Sequence, residues 1–118
     1  MIIELPWPPR ELNPNVKKHW SVKAKAALLY RSDCWLATTK LLLPNRPKLP
    51  TAGPITFALT FYPPDRRKRD DDNLVRSFKS GRDGIAEALN IDDSRFKMLV
   101  NISDMIVPGG KVIVSISK

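Results

Sequence analysis

The residues best suited to chemistry lie in one segment, Asp70-Asp71-Asp72-Asn73, placed directly behind Arg66-Arg67-Lys68-Arg69. In extended backbone alternate side chains share a side, so Asp70 and Asp72 point one way and Asp71 the other. Two carboxylates converging from one side suit a hard divalent cation, which takes oxygen ligands and, in the case of Mg2+, keeps several waters. A second acidic pair, Asp92-Asp93, closes the helix expected from about Asn73 to Leu89. At 1.5 Å per residue that helix runs ~25 Å, so the two pairs meet only if the turn folds back along the sheet edge. Each acid also has a structural use. Asp and Asn cap helices, acids in a first turn complement the helix dipole, and Asp92-Asp93 suits an ordinary turn. Capping needs one Asp, however, and three stand here behind four basic residues. A metal site is the favoured reading of the group.

Charge sharpens the contrast. The chain has 118 residues and a formal charge of +8. Residues 1–69 hold 13 basic and 4 acidic side chains, a net +9, whereas residues 70–118 hold 7 and 8, a net −1. A basic half of this size points to a polyanion. The run Arg66 to Arg69 suits phosphate contact, as do Lys17 and Lys18 in the N-terminal loop and Arg76 and Lys79 on the helix behind the acids. Plain solvation is the alternative use for all of these. Trp7 and Trp20 flank the basic loop; stacking on exposed bases is open to them, and packing against the sheet is the expected use of each. His19 is the only histidine and Cys34 the only cysteine, so neither a disulfide nor a Cys/His metal cluster can form within one chain. No run is apolar for long enough to span a membrane, and the N-terminus lacks the pattern of a signal peptide. A cytoplasmic protein is expected.

These residues must be positioned by regular elements. Met1 to Leu5 reads as a strand stopped by Pro6, Pro8 and Pro9. A helix is expected from Ser21 to about Leu43, with Ala27, Tyr30, Cys34, Ala37 and Leu41 on its buried stripe. Cys34 is then a packed thiol and not a nucleophile. Ile55, Phe57, Leu59 and Phe61 alternate with Thr56, Ala58, Thr60 and Tyr62 as a half-buried strand. The second helix follows the acids with Leu74, Phe78, Gly81, Ile85 and Leu89 on its apolar face. Residues 96–107 and 112–117, joined through Pro108-Gly109-Gly110, read as a β-hairpin. The expectation is a single α/β (α+β) domain spanning residues 1–118, a mixed sheet with two packed helices in the order β-α-β-α-β-β.

The stretch Pro64-Asp65-Arg66-Arg67-Lys68-Arg69-Asp70-Asp71-Asp72-Asn73-Leu74 resembles the signature of the RusA family of Holliday-junction resolvases of bacteria and prophages. The likeness continues in Leu5-Pro6-Trp7-Pro8-Pro9, in Lys79-Ser80-Gly81-Arg82-Asp83-Gly84-Ile85 and in Asp92-Asp93-Ser94-Arg95-Phe96, in the right order along nearly the whole chain. The resemblance implies a homodimeric, Mg2+-dependent endodeoxyribonuclease, with Mn2+ as a substitute ion. It would cut four-way DNA junctions by paired nicks in DNA recombination and repair, inside a bacterial or phage-infected cell. Carried over by position, the metal ligands are Asp70, Asp72 and Asp93, with Asp71 at a variable position. The family's catalytic lysine falls three positions beyond the Asn, where this chain has Arg76. The downstream K-x-x-x-D pattern instead selects Lys79, which is preferred as the catalytic cation, with Arg76 as its neighbour.

The implied chemistry is hydrolysis of a phosphodiester by water. Metal held by the three acids would activate that water and neutralise phosphate charge, and Lys79 or Arg76 would stabilise the transition state. A restriction-type nuclease needs an acid-x-Lys pair, and no Asp or Glu here has Lys two positions later. The remaining rival is a basic nucleic-acid-binding protein that does not cut.

Overall fold

In the computed structural model, which describes residues 1–117, four strands and three α-helices form two layers. The strands are β1 (Ile2–Pro6), β2 (Ile55–Tyr62), β3 (Phe96–Ile102) and β4 (Lys111–Ser117); the helices are α1 (Trp20–Leu42), α2 (Asp71–Ser77) and α3 (Lys79–Leu89). The mixed sheet expected from the alternating segments is present, in the order β1-β4-β2-β3. Period-two alternation decides its faces. Ile55, Phe57, Leu59 and Phe61 of β2 are fully buried, as are Val112 and Val114 of β4 and Ile3 of β1, with Leu5 nearly so. They meet the helical layer, while Thr56, Ala58 and Thr60 are partly exposed on the other face.

Two expectations are corrected. Residues 96–107 and 112–117 do not make a hairpin: β3 pairs parallel with β2, and β4 inserts antiparallel between β1 and β2. The connection is carried across the end of β2, where Ser103 N–H donates to the Phe61 carbonyl (2.8 Å) and Val107 N–H to that of Pro63 (3.0 Å). A Pro-Gly-Gly stretch marks a reversal of direction, but which strand lies alongside depends on long-range pairing. The second helix is also broken, so three helices stand where two were expected, in the order β-α-β-α-α-β-β. The break is at Phe78, whose φ −89° and ψ −7° depart from helical values. Its ring turns into the core, with centroids 6.0 to 6.4 Å from those of Tyr30, Phe57 and Phe61. Even so, Leu74, Phe78, Gly81, Ile85 and Leu89 are all buried, as the apolar spacing required.

The stripe of α1 is rotated from the expected one. Tyr30 and Cys34 are buried, but Thr38 and Leu42 join them, and Leu41 faces out. Thr38 enters the core because its hydroxyl donates to the Cys34 carbonyl at 2.8 Å, which satisfies its polar atom. The Tyr30 hydroxyl donates to the Pro6 carbonyl at 2.7 Å and ties α1 to β1. Burial pushes the Cys34 thiol up to about 12 and raises the Tyr30 hydroxyl well above its ordinary value. Among the described residues, no helix is long and apolar enough to cross a membrane.

Helices α1 and α3 approach closely at two glycines. A Cβ at Gly84 would run into the Arg31 carbonyl oxygen, and one at Gly81 would lie 2.7 Å from the Tyr30 ring. Gly84→Ala is expected to lower stability by about 1–3 kcal/mol through overpacking, despite alanine's better helix propensity. Urea unfolding should show a lower midpoint with an unchanged slope. Cys34 should resist thiol reagents in native buffer and react only on unfolding, as measured by mass shift.

Candidate functional site

β2 ends at Pro63-Pro64 and releases the basic run, whose four cations do not share one fate. The Asp65 carboxylate accepts from the Arg67 N–H (2.9 Å) and from the Arg69 guanidinium (2.8 Å). The same guanidinium donates to the carbonyls of Asp65 (3.1 Å) and Arg67 (2.8 Å) and lies 5.5 Å from the centre of the Trp7 ring. Arg69 is therefore folded back as the clasp of its own loop, its side chain 17% exposed. Arg66, Arg67 and Lys68 face solvent. The hydrogen bond from Arg67 N–H, then that from Arg69, holds the Asp65 carboxyl below its ordinary value.

Trp7 has the packing role expected of it. Its ring stands edge-on to Phe61 at 5.8 Å, and a Cβ at Gly110 would come within 2.9 Å of it. Trp20 does not: at the first turn of α1 it is 74% exposed and lies outside the core. Lys17 and Lys18 are exposed beside it.

The acids begin where the clasp ends. Asp70 is the N-cap of α2, with extended backbone and its Oδ1 accepting from the Asp72 N–H at 2.9 Å. Asp71 and Asp72 occupy the first turn, and all three are exposed. Capping and candidate ligation thus converge on the same segment. Asp92 caps the short 3-10 turn Asp93–Arg95, accepting from the Ser94 N–H at 2.9 Å, and this bond lowers its pKa. Asp93 lies 3.3 Å from the Arg82 guanidinium.

Asp70 and Asp72 stand at one helix start, linked by the Asp72 N–H. The chain is helical from Asp71 and not extended, so strand alternation does not aim their carboxylates to one side. Asp93 does not join them. Among the described residues, no three His, Cys, Asp or Glu side chains are grouped closely enough to hold a metal ion. Parallel pairing is the reason. Ile55 of β2 lies opposite Phe96 of β3, which sets Asp93 beside the start of β2, whereas Asp70 follows its end. The turn at 90–94 does not fold back to the first acids.

Two hollows flank α2. The larger, about 470 Å3, is walled by Trp7, Arg10, Asn13 and Asn15 of the N-terminal loop and by Arg67, Lys68, Asp70 and Asn73. The smaller, about 130 Å3, is lined by Arg76, Lys79, Arg82 and Met98. Both candidate catalytic cations open onto the second hollow, and Asp70 onto the first. Lys79 is 3.5 Å from Asp83. Arg82 is the residue that sequence reasoning passed over: it joins Arg76 and Lys79, pairs with Asp93, and buries an Nε without a hydrogen-bond partner among the described residues. Its spacing of three from Lys79 on one helix was the available signal.

Comparison with protein-family models gives no match. A protein of Xylella fastidiosa (strain Temecula1) described as uncharacterized is 37% identical over 115 residues, which is 98% of this chain and 74% of that protein. The chain belongs to the same family as that protein.

The clasp makes a testable claim. A carboxyl held below its ordinary value favours the closed loop at pH above that value, and the support is lost as pH falls through the depressed one. The protection factor of the Arg67 amide, its exchange by NMR divided by the intrinsic rate at each pH, should fall in acid. Arg69→Ala should lower the same protection at neutral pH, and Arg66→Ala should leave it unchanged.

Proposed function

We propose that the chain is a RusA-type endodeoxyribonuclease, Mg2+-dependent, that cuts four-way DNA junctions as a homodimer in the cytoplasm of a bacterial or phage-infected cell. One observation carries the reading: three exposed cations, Arg66 to Lys68, are set by a clasped loop just ahead, along the chain, of the exposed carboxylates of Asp70 and Asp72. A surface that binds DNA by charge alone gains nothing from acids at that point, since they repel phosphate.

Arg66, Arg67 and Lys68 hold the backbone of a duplex arm, with Lys17 and Lys18 extending the basic surface. Asp70 and Asp72 fit as hard oxygen donors, exposed and fixed at one helix start. Mg2+ needs only one or two protein carboxylates when phosphate and water fill the rest of its shell. Bound there, the ion supplies Lewis-acid activation of water and neutralises phosphate charge. Arg76 and Lys79, on the far side of α2, orient the strand leaving the acids. Asp93 does not belong to the ligand set of one chain, so a three-acid centre requires a second copy. Exposed Leu28, Leu29 and Leu36 on α1 and Leu43 at its C-cap, with Leu99 and Val100 on the edge strand β3, supply apolar surface for such association. An isologous pair would present two identical sites to the near-symmetric strands of a junction.

The dispersed acids and the capping role of Asp70 also favour a second reading, a DNA-binding protein that does not cut. A synthetic four-way junction with and without Mg2+ decides between them. Wild type should nick paired strands only with the ion, and Asp72→Asn should lower the rate at least about 100-fold while still binding; Asp72 is chosen because it does not cap the helix. Junction binding by wild type without Mg2+-dependent cleavage would establish the second reading. Binding should also fall with salt at a log–log slope of about −5 if six phosphates are neutralised.

A further inference from the structure

Trp20 is the most exposed aromatic side chain that the fold leaves without a structural task. It is 74% exposed and outside the core, whereas Trp7 is packed between Phe61, Arg69 and Gly110. Its one ring neighbour is His19, 5.5 Å away and tilted by 36°. The backbone that carries the ring is nevertheless anchored. The His19 imidazole caps α1 by accepting from the Ser21 N–H (3.2 Å), and the loop before it is closed by the Val16 and Asn15 amides on Asn13 (3.0 and 2.9 Å). Lys23 reaches back to the Asn13 carbonyl at 3.5 Å. The immediate flank is cationic, with Lys17, Lys18 and Lys25 exposed.

We infer that Trp20 is a stacking platform for an unpaired DNA base, with Lys17 and Lys18 holding the phosphates on either side of that base. An indole offers a broad face to any base, so the site is tolerant of sequence. Bases in a continuous duplex have both faces covered by their neighbours, so the platform takes only bases released from stacking, as at a branch point or in a single strand. Charge complementarity with exposed Lys17, Lys18 and Lys25 favours a polyanion at this ring. Val22 and Leu28 of the same helix are exposed as well, and docking of a second copy there is the outcome that sedimentation reports. The location agrees: Arg10, Asn13 and Asn15, which lead to Trp20, wall the same hollow as Asp70. The inference rests on the proposed junction-cutting function and names the feature by which such a substrate would be told from plain duplex.

The test compares a fluorescein-labelled oligo-dT strand, a four-way junction and a duplex of equal length, by anisotropy in the absence of Mg2+. Trp20→Ala should weaken the dT strand by about 5- to 150-fold, the range set by stacking one base on an aromatic ring. Duplex affinity and the salt slope should stay within twofold, and Trp20→Phe should keep most of the single-strand affinity. Trp20→Lys adds a charge; tighter binding of the dT strand by this variant would show that the position acts through charge, and would overturn the proposal. So would equal losses on strand and duplex, or a change of oligomeric state in sedimentation of Trp20→Ala. At saturating strand, unlabelled oligo-dT should quench a larger share of tryptophan emission in wild type than in Trp20→Phe, which keeps Trp7 and Trp35; equal quenching would place the base elsewhere. If no probe binds wild type, the junction reading fails along with this one. Binding and cleavage that ignore Trp20 would overturn this one alone.

Discussion

The position of the acids that begin α2 descends from one close approach, that of α3 to α1. Gly81 and Gly84 remove the side chains that would hold the two helices apart, so the Arg31 carbonyl and the Tyr30 ring lie against α3 backbone. With α3 drawn to this depth, Phe78 falls above β2 and turns its ring in among Tyr30, Phe57 and Phe61. That insertion breaks the helix and gives α2 its own short axis. The cap at Asp70, and with it the placing of Asp72, follows from where α2 begins.

The charge of the acidic–basic junction is divided between holding the chain and facing outward. Arg69 is enclosed by two carbonyls, a carboxylate and an indole, which leaves it little with which to bind a ligand. Its three predecessors stay in water, where flexible cations can follow a polyanion. A basic run is thus not uniform: its last member fixes the chain path so that the first acid arrives at a helix start. Asp65 and Asp92 show the same economy, each turned onto a backbone amide two residues on. Asp72 and Asp71 keep their carboxylates exposed.

Much of the fold was legible in spacing because burial is a local requirement. The alternation at Ile55 to Tyr62 and the three-four spacing from Leu74 to Leu89 each name a face, and those faces are buried. On α1 the residues are apolar around most of the circumference, so spacing fixed the helix but left its rotation open; Thr38 and Leu42 lie inside and Leu41 outside. Phe78 was readable as a core residue and not as a break, because the break arises from three rings on two other elements. Trp20 and Arg82 were obscure for the opposite reason. Composition shows that a tryptophan or an arginine is there, and only the surrounding chain decides whether it is covered, paired or bare.

By itself the sequence determined the single domain with its alternating strands, the buried thiol and the abutment of a basic run on three acids, since all of these are set by residues adjacent in the chain or one helical turn apart. The tertiary structure alone decided that β3 runs parallel to β2 and that β4 lies between β1 and β2. Strand order depends on the hydrogen bonds of segments far apart in sequence, and an alternating segment carries no mark of its neighbour. That choice sends Asp93 to the opposite end of the sheet from Asp70. The sequence lists the three acids, but the direction of one strand keeps them from forming one centre within one chain.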